Sequence, residues 1–364
     1  MSKKKEEDTR MGSDEFEKFI SGTFKEGASY GTIENPGIWP LRNYALAKAM
    51  GGGAPSSKIT TFVGESSSGK TTAAIKLAAE VGSTSWKTGK QCDPLSDESC
   101  NVLVIDQEGT LDESWCKMNG FHPNEGGNKV MSFREGSDAI DTITAAIRSG
   151  NFSLIVLDSI DTVVPAEENE KSAADLVVGK KAILLNRAFR SWTVNLTCES
   201  KKYDKWWQRP TMCCINQIRH GIGTYVEESY PGGRGQYYYS SLFVRMGKPG
   251  YDNSKDRKKQ VKFGKYKGFV KKNKTNEPNT PFEFDMALSD LPELGLEVSD
   301  IDNISALFKD AKAMLKESEG GGYELFGHKF RIKNDLLDRL RAEPEFEREI
   351  MFNVVNKIRQ EEDE

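Results

Sequence analysis

The chain has 364 residues, 37% of them hydrophobic and 29% charged, with a net charge of −4. That balance is ordinary for a globular chain, and its length gives a prior of two domains at about 150 residues each. It excludes a bilayer-spanning helix, because no stretch approaches the roughly 18–20 apolar residues needed, and the mixed-charge opening MSKKKEEDTR does not read as a signal peptide.

Residues 1–36 read as an N-terminal arm, with a short amphipathic helix near Asp14–Ile20 and then a Gly-containing loop. Alternating strand and helix signals run from Ile38 to about Asp285. The apolar runs Lys58–Val63, Val102–Asp106, Leu154–Asp158 and Met212–Asn216 are bounded by polar or turn residues, the pattern of strands buried on both faces. Helical patterns at Thr71–Val81, Ser137–Arg148 and Lys180–Thr193 separate them, which predicts a mostly parallel sheet covered on both sides. Gly82–Cys100 and Val194–Pro210 read as long polar surface insertions. Ser241–Arg245 and Gly268–Lys272 read as further strands, suited to a hairpin at a sheet edge.

After Met286 the pattern turns helical, broken at Gly320–Gly322. The last two helices are expected at Lys333–Arg341 and Glu345–Arg359, with Pro344 at the start of the second, where its missing N–H costs nothing. The expected division is therefore an arm over 1–36, an α/β core over 37–286, a small α-rich domain over 287–359 and an acidic tail over 360–364. Charge is unevenly spread. From Lys255 to Lys274 there are ten Lys or Arg and one acid, Asp256, whereas Gln360–Glu364 is almost wholly acidic. A tail of that kind is suited to compete with an anionic partner.

The segment Gly64-Glu65-Ser66-Ser67-Ser68-Gly69-Lys70-Thr71 fits G-x-x-x-x-G-K-S/T, directly after one expected strand and directly before a helix. In that setting the backbone N–H groups and the helix N-terminus face phosphates, Lys70 reaches the β- and γ-phosphates, and the Thr71 hydroxyl ligates Mg2+. ATP is the implied ligand. Asp158, at the end of LIVLD, supplies a second oxygen for the metal. Glu108, after the VLVID strand, is placed to orient and deprotonate an attacking water.

GESSSGKTT, VIDQEGTLD, IVLDSIDTVVP, CINQIR and VKKNK resemble, in order and spacing, the motifs of the RecA recombinases. The resemblance runs from about Phe24 to Lys357, and PGGRGQYYYSS is similar to the phage UvsX-like members. It implies a RecA-type P-loop ATPase core with a mostly parallel sheet, an N-terminal polymerisation arm and a small C-terminal α-rich domain. It further implies that the P-loop through Thr72 cradles the nucleotide and that Glu108 is the catalytic glutamate. Asp112 and Trp115 would hold and stack on adenine, with tryptophan standing where the family has tyrosine. Gln217 would sense the γ-phosphate, and Lys272 and Lys274 would reach the ATP of a neighbouring subunit. Phe24 would pack on the adjacent protomer.

The resemblance also implies two DNA loops. The first spans about Ala166–Val178. The second spans about Arg219–Gly235, with Arg219, His220, Gly223, Tyr225, the flexible pair Gly232-Gly233 and Arg234 meeting single-stranded DNA. Glu227 and Glu228 depart from a basic loop and weaken its positive field. The expected partners are single-stranded and duplex DNA, further copies of the chain in an open helical filament, and accessory single-strand-binding and loader proteins, with no membrane. The six cysteines lack a C-x-x-C repeat and suit a reducing cytoplasm. Trp206 and Trp207 are expected to pack their insertion onto the body. Two other readings stay open at this stage: a ring-forming motor of the same fold, and an assembly protein in which ATP only switches DNA affinity.

Overall fold

A computed structural model describes residues 36–165, 179–220, 228–251, 262–292, 295–318 and 321–362. The expected arm with Phe24, the loop 166–178, Gly223, Tyr225, Glu227 and residues 363–364 lie outside the described residues, as do positions 255–261 of the basic stretch. Residues from Pro36 onward form one compact unit.

Its centre is a nine-stranded sheet. The strands lie in the order Gly250–Tyr251, Phe263–Asn273, Leu242–Met246, Ile59–Gly64, Thr211–Gln217, Leu154–Asp158, Val102–Asp106 and Lys129–Met131, with Thr280–Ala287 paired to Phe263–Asn273. Pairing is parallel from Leu242–Met246 through to Lys129–Met131 and antiparallel around Phe263–Asn273. The central runs are buried at nearly every position because both faces are covered. Val102, Val104, Leu154, Val156, Cys213 and Ile215 join the core on one face. Leu103, Ile105, Ile155, Leu157, Met212 and Cys214 join the core on the other, beneath the helices Gly136–Ser149 and Lys180–Ser200.

The helix expected to stop at Thr193 continues to Ser200. Polar residues follow Thr193, but Leu196 and Glu199 carry on the buried stripe begun by Leu185, Phe189 and Trp192, at the spacing of one helix face. The remaining insertion packs on the body. Trp206 meets Trp39 edge-on at 5.0 Å, and Trp207 Nε1 donates to the Trp86 carbonyl at 3.0 Å, so the two insertions are joined to each other.

Toward the C-terminus, the helices Ile304–Ala313, Lys333–Ala342 and Pro344–Glu362 enclose their own apolar cluster with Tyr44. The segment is not wholly helical, for Lys316–Glu317, Tyr323–Leu325 and His328–Phe330 form a small antiparallel sheet. The last helix passes Arg359 and includes Glu361 and Glu362, so part of the acidic end is helical. This segment is tied to the helix Lys70–Gly82 by charge. Glu80, 1% exposed, pairs with Arg42 at 2.8 Å and with Arg348 of the last helix.

Candidate active site

Parallel pairing brings several strand ends to one edge. Gly64 lies in register with Gln217, and Asp106 with Asp158. The loop after Gly64 turns tightly through Ser67 at φ +61° and Gly69 at φ +81° before the helix Lys70–Gly82. A Cβ on Gly64 would come within 2.4 Å of the Met246 carbonyl oxygen, so only glycine fits there. The helix has no side-chain N-cap, which leaves its first-turn N–H groups to an anionic ligand.

Lys70 is buried, and its Nζ donates to the Glu65 carbonyl at 2.6 Å. Burial lowers its pKa, opposed by Glu108, Asp158 and Glu65. Ser68 is buried, Ser66 and Ser67 are exposed, and Thr72 is half-buried. Glu65 pairs with Lys248.

Thr71 Oγ1 donates to Asp158 Oδ2 at 2.9 Å. Asp158 is 1% exposed and its Oδ1 has no hydrogen-bond partner among the described residues. Burial raises its carboxyl to about 7 against the pull of the Thr71 hydroxyl. A buried carboxylate oxygen without a partner, beside a hydroxyl, is a hard-oxygen pair that fits Mg2+.

Glu108 is held from two sides: Ser159 Oγ donates to its Oε1 at 2.7 Å, and Gln217 Nε2 donates to the same oxygen at 3.3 Å. Its loop is shaped by Asp106, which accepts from Gly109 N at 2.8 Å and Leu111 N at 3.2 Å. The roles of Asp106 and Ser159 were not foreseen from sequence. Only the adjacency of two strand ends in space sets them beside Glu108. Asp112 caps the helix Glu113–Met118 through Trp115 N at 2.9 Å, and Trp115 is half-buried against the core.

Beyond Gln217, Arg219–His220 pairs with Glu228–Ser229 as a ribbon bracketing residues 221–227. Asn216 is buried and donates to the Pro231 carbonyl and to Gln236 Oε1, both at 2.8 Å, joining this strand end to the turn that follows. The Arg219 guanidinium pairs with both oxygens of Asp161 at 3.1 and 3.0 Å and its side chain is 68% exposed. Two loop expectations need correction. Glu228 adds no unbalanced negative charge, because Arg245 neutralises it, with Nε at 2.7 Å. The Gly232-Gly233 pair is a fixed turn rather than a flexible element. Both residues are left-handed, at φ +83° and +80°, and a Cβ on Gly232 would lie 2.4 Å from Leu185 Cδ1. Arg234 is exposed.

Lys272 and Lys274 do not approach the P-loop of their own chain. Lys272 pairs with Phe243 and Phe243 with Thr61, three residues before Gly64. At about 3.3 Å per strand residue this places Lys272 roughly 10 Å back along the sheet, and Lys274 further. Lys272 Nζ donates to the carbonyls of Tyr237 at 2.6 Å and Tyr238 at 2.9 Å, while Lys274 is exposed. Among the described residues no helix is long and apolar enough to cross a membrane.

A family model of the RecA N-terminal domain matches residues 37–290. The RecA protein of Rhodopirellula baltica is 30% identical over 308 residues, covering 82% of this chain and 73% of its own length. That of Chlorobaculum parvum is 28% identical over 308 residues, covering 82% of this chain and 80% of its own length. Among solved structures, the crystal structure of the RadB recombinase aligns with a TM-score of 0.45 at 18% identity, covering 69% of this chain and 96% of that one.

Proposed function

The chain belongs to the RecA family of recombinases, and from that premise we propose that it is a DNA-dependent ATPase whose protomers assemble head to tail on single-stranded DNA and pair it with a homologous duplex. The observation that carries this reading is the position of Glu108. Its carboxylate stands beside the P-loop edge and shares one oxygen between Ser159 and Gln217, and Gln217 leads directly into the Arg219–His220 ribbon. Hydrolysis and DNA binding are thereby connected through one amide.

In this reaction the P-loop N–H groups and Lys70 bind the triphosphate of ATP, and Thr71 and Asp158 hold Mg2+, which offsets phosphate charge when bound. Glu108 accepts a proton from the water whose oxygen attacks the γ-phosphorus. The bond from that phosphorus to its bridging oxygen breaks, ADP leaves, and the proton passes to solvent. Gln217 can exchange its contact with Glu108 for one with the γ-phosphate, since an amide both donates and accepts. Asp112 and Trp115 form the adenine side of the pocket, where one oxygen of Asp112 remains beyond its capping bond. Lys272 and Lys274, which do not approach the P-loop of their own chain, would by resemblance to the family serve the nucleotide of an adjoining protomer in an open head-to-tail assembly.

The ribbon, its loop with Gly223 and Tyr225, and Arg234 form the DNA face, and accessory single-strand-binding and loader proteins act on the same filament in the cytoplasm. The domain boundaries proposed for this assembly are an arm to residue 36, the core to 286, a smaller domain to 359 and an acidic tail to 364. Electron microscopy with single-stranded DNA and a non-hydrolysable ATP analogue tests the assembly, and turnover with and without DNA tests the ATPase. Open helical filaments and DNA-stimulated hydrolysis are expected. Closed rings, or turnover indifferent to DNA, would overturn the reading.

A further inference from the structure

Three lysines gather on the sheet edge away from the P-loop. Lys58 immediately precedes the strand Ile59–Gly64. The Ile59 carbonyl accepts from Ser241 N at 2.8 Å, and the Ser241 carbonyl accepts from Lys274 N at 3.0 Å, so Lys58 and Lys274 enter from the same level of the sheet. The loop carrying Lys274 is fixed. Asn273 Oδ1 accepts from Thr275 N and Oγ1 at 2.9 Å each and from Asn276 N at 3.0 Å, while its Nδ2 donates to the Met50 carbonyl at 3.2 Å. Lys272 is anchored by the carbonyls of Tyr237 and Tyr238, with its ammonium 5.1 Å from the Tyr237 ring centroid.

Among the described residues no carboxylate pairs with Lys58, Lys272 or Lys274. Burial lowers the pKa of Lys58 and brings that of Lys272 down to about 8, and the charge of Lys274 adds to both effects. Gathering cations without a counter-charge costs free energy that a bound anion would return. The ribbon that follows Gln217 leaves from the opposite ends of these strands, which favours a terminal phosphate over a nucleic-acid backbone at Lys58 and Lys274.

We infer that Lys58 is the third cation of a site, shared with Lys272 and Lys274, that grips the polyphosphate of a nucleotide bound by the adjoining protomer. This rests on the trans-acting reading of Lys272 and Lys274 given above. A third ammonium adds charge where negative charge gathers on the transferring phosphoryl group, and ties hydrolysis more tightly to a completed junction.

The test uses the full chain with poly(dT) and ATP. Lys58→Ala should lower DNA-dependent turnover about tenfold, the scale of one charge-assisted hydrogen bond, and Lys58→Arg should retain most of it. Affinity for labelled oligo(dT) without nucleotide should match the parent. Lys58→Ala co-assembled with Glu108→Gln should exceed the sum of the separate activities, because intact lysines then meet an intact glutamate at some junctions. Lys58→Gln reads the charge alone should the alanine variant melt early. Parent-like turnover in Lys58→Ala, or weaker oligo(dT) binding with turnover per bound protomer unchanged, would overturn the inference. Lys272→Ala/Lys274→Ala co-assembled with Glu108→Gln separates the two readings. Restoration there but not with Lys58→Ala removes Lys58 and leaves the trans reading standing, whereas restoration in neither mixture removes both.

Discussion

Ser159 and Glu108 are joined by a 2.7 Å hydrogen bond from hydroxyl to carboxylate, although 51 residues separate them in the chain. The bond holds the carboxylate that the proposed mechanism assigns as the base. Glu108→Gln should retain ATP and DNA binding while turnover falls by orders of magnitude, because the base alone is lost. Ser159→Ala should lower kcat about tenfold with KM for ATP little changed, the cost of one hydrogen bond to a charged group. Steady-state kinetics on poly(dT) distinguish the two, and near-parental turnover in Glu108→Gln would reassign the base.

If Asp158 holds Mg2+ as proposed, metal binding should be sensitive to pH. Its ordinary pKa of 3.8 is raised to about 7 by burial, so the unfolded chain releases this proton well before the folded one does. Between those values the unfolded state binds fewer protons, and the nucleotide-free protein loses stability from this group as pH rises. Mg2+ requires the ionised carboxylate, so affinity for magnesium ATP should increase from about pH 6 to 8 with release of a proton. Calorimetry in two buffers of different ionisation enthalpy reads that proton. Asp158→Asn should abolish the release and raise the nucleotide-free melting temperature at pH 8.

Glu80 is the buried partner of both Arg42 and Arg348. Glu80→Ala leaves two guanidinium groups without their carboxylate and should destabilise the fold by about 3 kcal/mol, read from urea denaturation. The loss should be smaller in Arg42→Ala, since Arg42 is half exposed at 51% and water can replace its contact.

Gly232→Ala combines a left-handed backbone with a Cβ placed 2.4 Å from Leu185 Cδ1. It should cost about 1–3 kcal/mol in thermal unfolding. Because the turn is tied to Asn216 beside Gln217, DNA stimulation of turnover should fall further than turnover without DNA. An equal fall in both would detach the turn from the DNA response.

The four strands legible from sequence as buried runs were those with apolar residues at nearly every position, since a run of Val, Ile and Leu needs no partner to be recognised. Lys129–Met131 was missed because it is a three-residue edge strand whose end residues are exposed. Thr280–Ala287 was missed although Phe282, Phe284 and Met286 alternate inward, because Pro281 and the acids between them masked the period. In the site, the P-loop, Glu108 and Asp158 were legible from local motifs, and Gln217 from the resemblance to the RecA recombinases. The Ser159 bond, the Asp161 partner of Arg219 and the Arg245 partner of Glu228 are set by which strands lie side by side, and a local motif does not carry that information. The two glycines were read as freedom, whereas the backbone sign and the approach of Leu185 make them a constraint.

The P-loop strand Ile59–Gly64 lies between Thr211–Gln217 and Leu242–Met246. During synthesis the nucleotide motif therefore leaves the ribosome long before either of its neighbours. At about 5–20 residues per second, the interval between Gly64 and Met246 is roughly 10–40 s. Through that interval the nascent chain holds every P-loop residue without the flanking strands that fix their geometry. ATP can then stabilise only a chain whose centre has already closed, and nucleotide capture on stalled ribosomes should begin only after Met246 has emerged.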